Sequence, residues 1–337
     1  MANLMIAGVC DLDCPYCFAR EHMQAVKASH TPAFLSLEDF EARLDLLDRL
    51  GINEARLIGG EPTLHPQFPE LVQRARQRGK RIAVFSHARM PEAALDCLAA
   101  LPEDVCSVLA NLNATGRQPG NQEREFAQRR GVMERLGPRL QAGFNIYQVD
   151  FNADDLLPLI IETGAHKSLR LGLAQPVLDG HNQYLHPKQY PLVGAKIVTL
   201  AQKAHALGIR LEFDCGFVRC MFSDAGFAAL QQAEAATGFH CGPVPDIDLD
   251  GQALHCFPLA SRVTAPIGCI INLDELINAL SAQTRHQRVA GIYRECSACR
   301  FKQSGECTGG CMAHTLPRFR RSSHAIPWPE NMPIHLD

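Results

Sequence analysis

The chain has 337 residues, 46% apolar and 20% charged, with a formal net charge of −3, enough for one large domain or a large and a small one. This balance gives no reason to expect nucleic acid as a partner, and the one basic run, "PRFRR" near residue 320, reads as a solvated tail. "MANLMIAGVC" lacks the basic flank of a signal peptide and no apolar run approaches the roughly 20 residues of a membrane helix, so a cytoplasmic protein with no membrane partner is expected.

From residue 2 to about 215, short β-like runs alternate with helical patterns. "LMIAGV" (4–9) is a first strand. Residues 36–51 read as a helix, with Ser36 as N-cap, Phe40, Leu44 and Leu47 on one face and Gly51 as the stop. Further strands are predicted over 54–60, 81–86, 105–113, 140–149, 168–174 and 209–214. Helical patterns lie between them; "REFAQRRGVMERLG" is the one with weaker periodicity. Strands separated in this way make βαβ units and a parallel sheet. About six repeats and a closing strand are too few for an eight-fold barrel and suit an open, three-quarter barrel. Ligands gather at the C-terminal ends of such strands. Cys10–Cys17, Gly59–Glu61, Ser86–His87, Asn111–Asn113 and Tyr147 fall there. After residue 215 the segments shorten and cysteine, glycine and proline become dense. That pattern suits a small loop-rich domain held by metal rather than by a hydrophobic core.

Three of the fourteen cysteines cluster by residue 17, two are scattered (Cys97, Cys106) and nine follow residue 214. The length and the α/β pattern favour metal binding over a disulfide framework. Cys97, Cys106 and Cys269 read as small buried residues. "CDLDCPYC" spaces Cys10, Cys14 and Cys17 as C-x3-C-x2-C. Three thiolates on one tight loop can bind three irons of a cubane cluster and leave the fourth open. The alternatives are buried thiols or a zinc site borrowing a distant fourth ligand. "LIGGEP" (57–62) places two glycines and a proline at a strand exit, where backbone can approach a ligand closely; an ordinary strand-to-helix turn reads the same way. Near the C-terminus, Cys241 and Cys256 flank Gly251 as C-x9-G-x4-C. Cys296, Cys299, Cys307 and Cys311 read C-x2-C-x7-C-x3-C, and Cys215 and Cys220 stand upstream. Such pairs suit tetrahedral sulfur ligation, with structural zinc as the main rival.

Taken together, "CDLDCPYC" and "GGEP" resemble the radical S-adenosylmethionine (SAM) superfamily over roughly residues 2–215. The resemblance implies a partial (β/α)6 TIM-like barrel. It implies that Cys10, Cys14 and Cys17 hold a [4Fe-4S] cluster whose fourth iron is chelated by SAM. Tyr16 would lie near the adenine, and Gly59, Gly60, Glu61 and Pro62 at the methionine end. Ser86, Asn111, Asn113 and Asn145 stand at strand ends where the family contacts ribose and carboxylate, though each also suits a turn. Reduction would cleave SAM to methionine and a 5′-deoxyadenosyl radical that abstracts hydrogen from substrate.

The C-terminal cysteines look like a SPASM-type auxiliary-cluster extension. That likeness implies a barrel over 1–215, an auxiliary Fe–S domain over 216–315 and a tail over 316–337. The chain departs from the family in the long gap between Cys299 and Cys307 and in having no cysteine after Cys311. Cys215 or Cys220 could supply the missing ligand. The eight cysteines suffice for two four-ligand clusters, and one cluster with free thiols stays open. Relatives that oxidise a thiol or alcohol carry an aspartate after the auxiliary cysteine, where this chain has Phe257. Asp214 and Asp246 are the alternative acids. His87 faces the expected cavity mouth, and His65 reads as structural.

The expected reaction is modification of a peptide or protein side chain, with an electron donor such as flavodoxin or ferredoxin. Only nine residues precede Cys10, so a peptide would need direct binding or a separate recognition protein. The alternative is oxidation or rearrangement of a small metabolite. A non-catalytic Fe–S or zinc scaffold is the third reading, disfavoured by the GGEP turn and the open three-cysteine loop.

Overall fold

A computed structural model describes residues 1–29, 32–113, 119–268 and 270–319. Seven strands lie side by side in chain order: β1 (Asn3–Ala7), β2 (Glu54–Gly59), β3 (Arg81–Ser86), β4 (Cys106–Asn111), β5 (Leu140–Ile146), β6 (Ser168–Leu173) and β7 (Arg210–Phe213). Every neighbouring pair among them is parallel. The crossovers are α1 (Arg20–Ala28) and α2 (Leu37–Arg49), then α3 (Phe68–Gln77), α4 (Glu92–Ala99), α5 (Pro119–Leu136), α6 (Leu156–Glu162) and α7 (Tyr190–Ala206). This is the α/β partial-barrel pattern of six repeats and a closing strand.

Strand residues alternate between two environments, as the pleat requires. Leu57, Val84, Val108, Ala142, Leu169 and Leu211 are almost fully buried. Their neighbours Arg56, Phe85, Asn111, Asn145 and Arg170 are half-buried on the opposite face. In α2, Phe40, Leu44 and Leu47 are fully buried, and the Ser36 hydroxyl accepts from Asp39 N at 3.0 Å, as its sequence suggests. Helix α1 escapes the sequence reading for a physical reason. Its N-cap, Ala19, has no capping side chain, and only Val26 is buried along it.

Beyond β7 the chain returns to the same sheet. β8 (Asp246–Ile247) pairs parallel with the free side of β1, and β9 (Gln252–Leu254) and β10 (Thr264–Pro266) follow antiparallel. One ten-stranded sheet results, with β10 at one edge and β7 at the other. Two helices, α8 (Asp224–Gln232) and α9 (Leu273–Ala282), begin at Ser223 and Asn272, whose side chains accept from backbone N–H groups.

The expectation that metal replaces a core after residue 215 needs correction. Phe217, Phe222, Phe239, Leu254, Leu259, Leu276 and Met312 belong to the same apolar core as the barrel. Strands of two or three residues show no period, so the sequence hides them. Cys269, most of the expected tail over 316–337 and the last two residues of the basic run near residue 320 lie outside the described residues. Among the described residues, no helix is long and apolar enough to cross a membrane.

Candidate active site

The loop after β1 curls on itself. Cys17 N donates to Cys14 O at 3.1 Å and Leu12 N to Cys10 Sγ at 3.4 Å. Arg20 Nη2 adds a bond to Cys14 O at 2.5 Å. Cys10, Cys14 and Cys17 are all half-buried. Burial pushes the Cys10 thiol up to about 12, with the negative charges of Glu61, Asp11 and Cys17 adding to it. Burial also raises the thiols of Cys14 and Cys17, and each of Cys10 and Cys14 feels Cys17. A metal bound by these thiolates must therefore displace their protons.

The GGEP turn clamps this loop. Gly60 N donates to Ala7 O at 2.9 Å and Glu61 N to Val9 O at 2.8 Å. A Cβ on Gly59 or Gly60 would lie 2.2 Å from Ala7 O or Val9 O. The glycines are thus required first by the approach of the cysteine loop itself. Gly60→Ala is expected to displace that loop at a cost of about 3 kcal/mol, the upper end of ordinary overpacking. A thermal melt and the iron content after reconstitution measure both effects.

Glu61 is fully buried, and both its oxygens are occupied. Oε1 accepts from Thr63 N (3.2 Å) and Thr63 Oγ1 (2.6 Å), and Oε2 from His87 N (2.9 Å). Pro62 opens a buried turn beside it. His87 Nδ1 accepts from Arg89 N at 3.1 Å, so Nε2 carries the proton. Nε2 lies 2.7 Å from Asp11 Oδ1 and 3.2 Å from Glu61 Oε2. His87 is wedged between the cysteine loop and the GGEP turn instead of facing open space. One ligand atom each of Cys10, Asp11 and His87 lies within 4.8 Å of the others. His65 holds Leu35 O at 2.8 Å, a structural part.

Tyr16 is buried, and its ring stacks on Tyr147 with centroids 4.9 Å apart. Its hydroxyl accepts from Asn111 Nδ2 at 2.7 Å. Asn111 Oδ1 is buried without a hydrogen-bond partner among the described residues. Asn113 staples the exits of β4 and β5, donating to Asn145 O (2.9 Å) and accepting from Asn145 N (2.7 Å). The Asn145 carboxamide lies over Gly172, where a Cβ would stand 2.4 Å from Oδ1. Ser86 Oγ accepts from Ala88 N at 3.0 Å within its own turn. Asn111 and Asn145 thus present polar groups inward, and Ser86 and Asn113 shape the backbone. Asp214 pairs with Arg170 at 2.8 Å and accepts from Cys215 N at 2.8 Å. Asp246 accepts from Asn3 Nδ2 at 2.6 Å, and burial pushes its carboxyl up to about 7.

Arg129, on α5, was not singled out from the sequence. It is 4% exposed. Nε donates to His87 O (3.2 Å), Nη1 to Asn113 O (2.6 Å), and Nη2 pairs with Glu125 (2.9 Å). It joins the exits of β3 and β4 beside Cys14 and Tyr16. The weak periodicity of its helix was the available signal, since a charged residue occupies a buried position.

Eight of the nine cysteines after residue 214, all but Cys269, fall into two sets of four. In the first, Cys241 accepts a hydrogen bond from Cys311, which lowers the Cys241 thiol and raises that of Cys311. Cys256 is pushed well up by burial and then by Cys241 and Cys215. Cys215 has exposed surface, yet the protein packed around its thiol raises it too, with Cys241 as a charged neighbour. In the second, Cys220, Cys296, Cys299 and Cys307 line one cavity with Arg219, Phe301 and Lys302. Burial pushes Cys220 up to about 11, with Cys296, Cys307 and Cys299 adding. The first set brings together the exits of β7 and β9, from opposite ends of the sheet. Four thiols in each group suit a closed tetrahedral zinc or a cubane iron–sulfur cluster.

Residues 4–132 match the Radical SAM superfamily. The matched stretch runs from β1 into α5 and contains the three-cysteine loop and the GGEP turn. GTP 3′,8-cyclase 1 of Mycobacterium tuberculosis (strain CDC 1551 / Oshkosh) is 31% identical over 71 residues, 21% of this chain and 19% of that one. The chain thus spans about a fifth of the length of that curated relative. The likeness in fold extends beyond that stretch in three solved structures. Native anSMEcpe with bound AdoMet superposes with a TM-score of 0.65 at 16% identity, over 93% of this chain and 90% of that one. Streptococcus suis SuiB bound to S-adenosylmethionine gives 0.63 at 12% identity, over 96% and 76%. A further anSMEcpe structure, with bound AdoMet and Cp18Cys peptide, gives 0.61 at 15% identity, over 93% and 89%.

Proposed function

We propose that the chain is a radical SAM enzyme that modifies a peptide or protein side chain, with two auxiliary [4Fe-4S] centres. The observation that carries this reading is the partition of eleven cysteines into one set of three and two sets of four. Cys10, Cys14 and Cys17 would hold the cluster that SAM completes. Cys215, Cys241, Cys256 and Cys311 would hold the first auxiliary centre, and Cys220, Cys296, Cys299 and Cys307 the second. When bound, the cluster and SAM supply reductive cleavage to methionine and a 5′-deoxyadenosyl radical able to take hydrogen from a C–H bond.

The chain's own residues then position and shield. The Tyr16–Tyr147 stack offers an aromatic shelf, and Asn111 Oδ1 beside it is a free acceptor for a ligand N–H or hydroxyl. Glu61, His87 and Asp11 fix the cysteine loop, so His87 is a positioning residue in this reading. Asp214, held by Arg170, is the acid–base candidate next to the first auxiliary set. Electrons would come from a donor such as flavodoxin or ferredoxin.

The peptide-bound fold neighbour favours a peptide substrate. A small metabolite is the second reading, favoured by the stretch shared with GTP 3′,8-cyclase 1. Anaerobic reconstitution should give about twelve irons and as many sulfides per chain, four for each cubane. Incubation with SAM, dithionite and either a peptide library or nucleotides follows, read by mass spectrometry. A SAM-dependent mass change in a peptide supports the first reading, and one in a nucleotide the second. Zinc without sulfide, or no 5′-deoxyadenosine, overturns both.

A further inference from the structure

We infer that Arg219 sets the reduction potential of the second auxiliary centre. The inference rests on reading Cys220, Cys296, Cys299 and Cys307 as ligands of a [4Fe-4S] cluster.

Arg219 directly precedes Cys220 on the short turn Arg219–Met221. Its side chain is only 7% exposed, and it lines the cavity shared by the four cysteines. The guanidinium is fixed on two sides by aromatic rings, 4.1 Å from the Phe227 centroid and 4.7 Å from that of Phe301. Nη1 donates to Phe222 O at 3.0 Å, and Nη2 pairs with Asp224 at 2.7 Å. Nε is buried without a hydrogen-bond partner among the described residues, its near carboxylate, Glu306, standing at 3.4 Å. A buried N–H left in this way asks for an acceptor, and a cluster sulfur in the cavity would supply one.

The charges around Arg219 do not cancel it. Asp224 is 76% exposed and Glu306 40%, so water screens both carboxylates. The guanidinium is desolvated and faces the cavity, so its field acts there at low dielectric. A cubane centre gains one negative charge when it takes one electron. A fixed cation and an N–H donor beside it favour that reduced form, and the potential rises. The two rings keep the cation in place whichever redox state the centre holds.

The test is a mediated dithionite titration of the reconstituted full chain, followed by electron paramagnetic resonance. Dithionite supplies the single electron. The signal missing from Cys296→Ala identifies the second centre. In Arg219→Gln the reduced-to-oxidised ratio at the wild-type midpoint should fall at least tenfold, which is about 59 mV for one electron. Arg219→Lys should fall less, and Glu306→Gln, whose carboxylate water already screens, should shift little. The first auxiliary centre should keep its wild-type potential in all three. An unchanged potential in a fully loaded Arg219→Gln overturns the inference. If that variant loses iron, Arg219→Lys decides: a smaller fall supports the role and an unchanged potential overturns it. A wild-type chain whose auxiliary sites carry no sulfide would overturn the cluster reading itself, a failure visible before any titration.

Discussion

Replacing Cys10, Cys14 and Cys17 together with alanine should abolish 5′-deoxyadenosine formation and remove about four of about twelve irons, leaving about eight. The three thiols sit on one loop after β1, and their neighbours are each other, Tyr16, Glu61 and Asp11. The other eight cysteines are brought together by segments after β7. Nothing in the triple variant removes a large buried side chain, since all three positions are half-buried. The barrel should therefore stay folded and the auxiliary iron stay bound. Iron and sulfide assays with chromatography of the SAM products measure both halves. Cleavage surviving in the triple variant would place the SAM-binding cluster elsewhere. Loss of all iron would mean that the three sites assemble as a unit.

Cys220→Ala should lose the second auxiliary centre while keeping the first, and Cys215→Ala should do the reverse. Spacing leaves this assignment open, because both cysteines stand five residues apart on one segment. The fold separates them. Cys215 follows β7 and meets Cys241, Cys256 and Cys311. Cys220 sits on the next turn and opens into the cavity of Cys296, Cys299 and Cys307. Each variant should fall by about four irons if each centre is a cubane. Cys97→Ala and Cys106→Ala, far along the barrel, should keep the full count. An unchanged iron count in Cys220→Ala would give the second centre a different fourth ligand.

Much of the barrel is legible in the sequence because its signals are local. Ser36 as a cap, the Phe40–Leu44–Leu47 face and the paired glycines after β2 each read within one turn of chain. The three-cysteine loop is legible for the same reason. The remainder depends on contacts between distant residues. β8 to β10 are too short for a pattern, and only pairing, of β8 with β1 and of β9 and β10 in turn, makes them strands. The wedge of His87 between Asp11 and Glu61 joins three strand exits that no spacing relates. Arg129 reads as a surface charge until α5 turns it inward. The sorting of Cys215 from Cys220 follows the course of the chain between β7 and β8.

The two four-cysteine sets interleave along the chain, and each takes its last member from beyond residue 300. Neither can be complete until translation has passed that point, so assembly of each set waits for Cys307 or Cys311. The first set also joins the exit of β7, at one edge of the sheet, to that of β9, next to the strand at the other edge. Oxygen damage there would do more than stop an electron. It would unfasten the seam of the barrel, expose Phe217 and Phe222 and mark the molecule for proteolysis. If this set holds an iron–sulfur centre, the abundance of the protein in a cell should track its exposure to air.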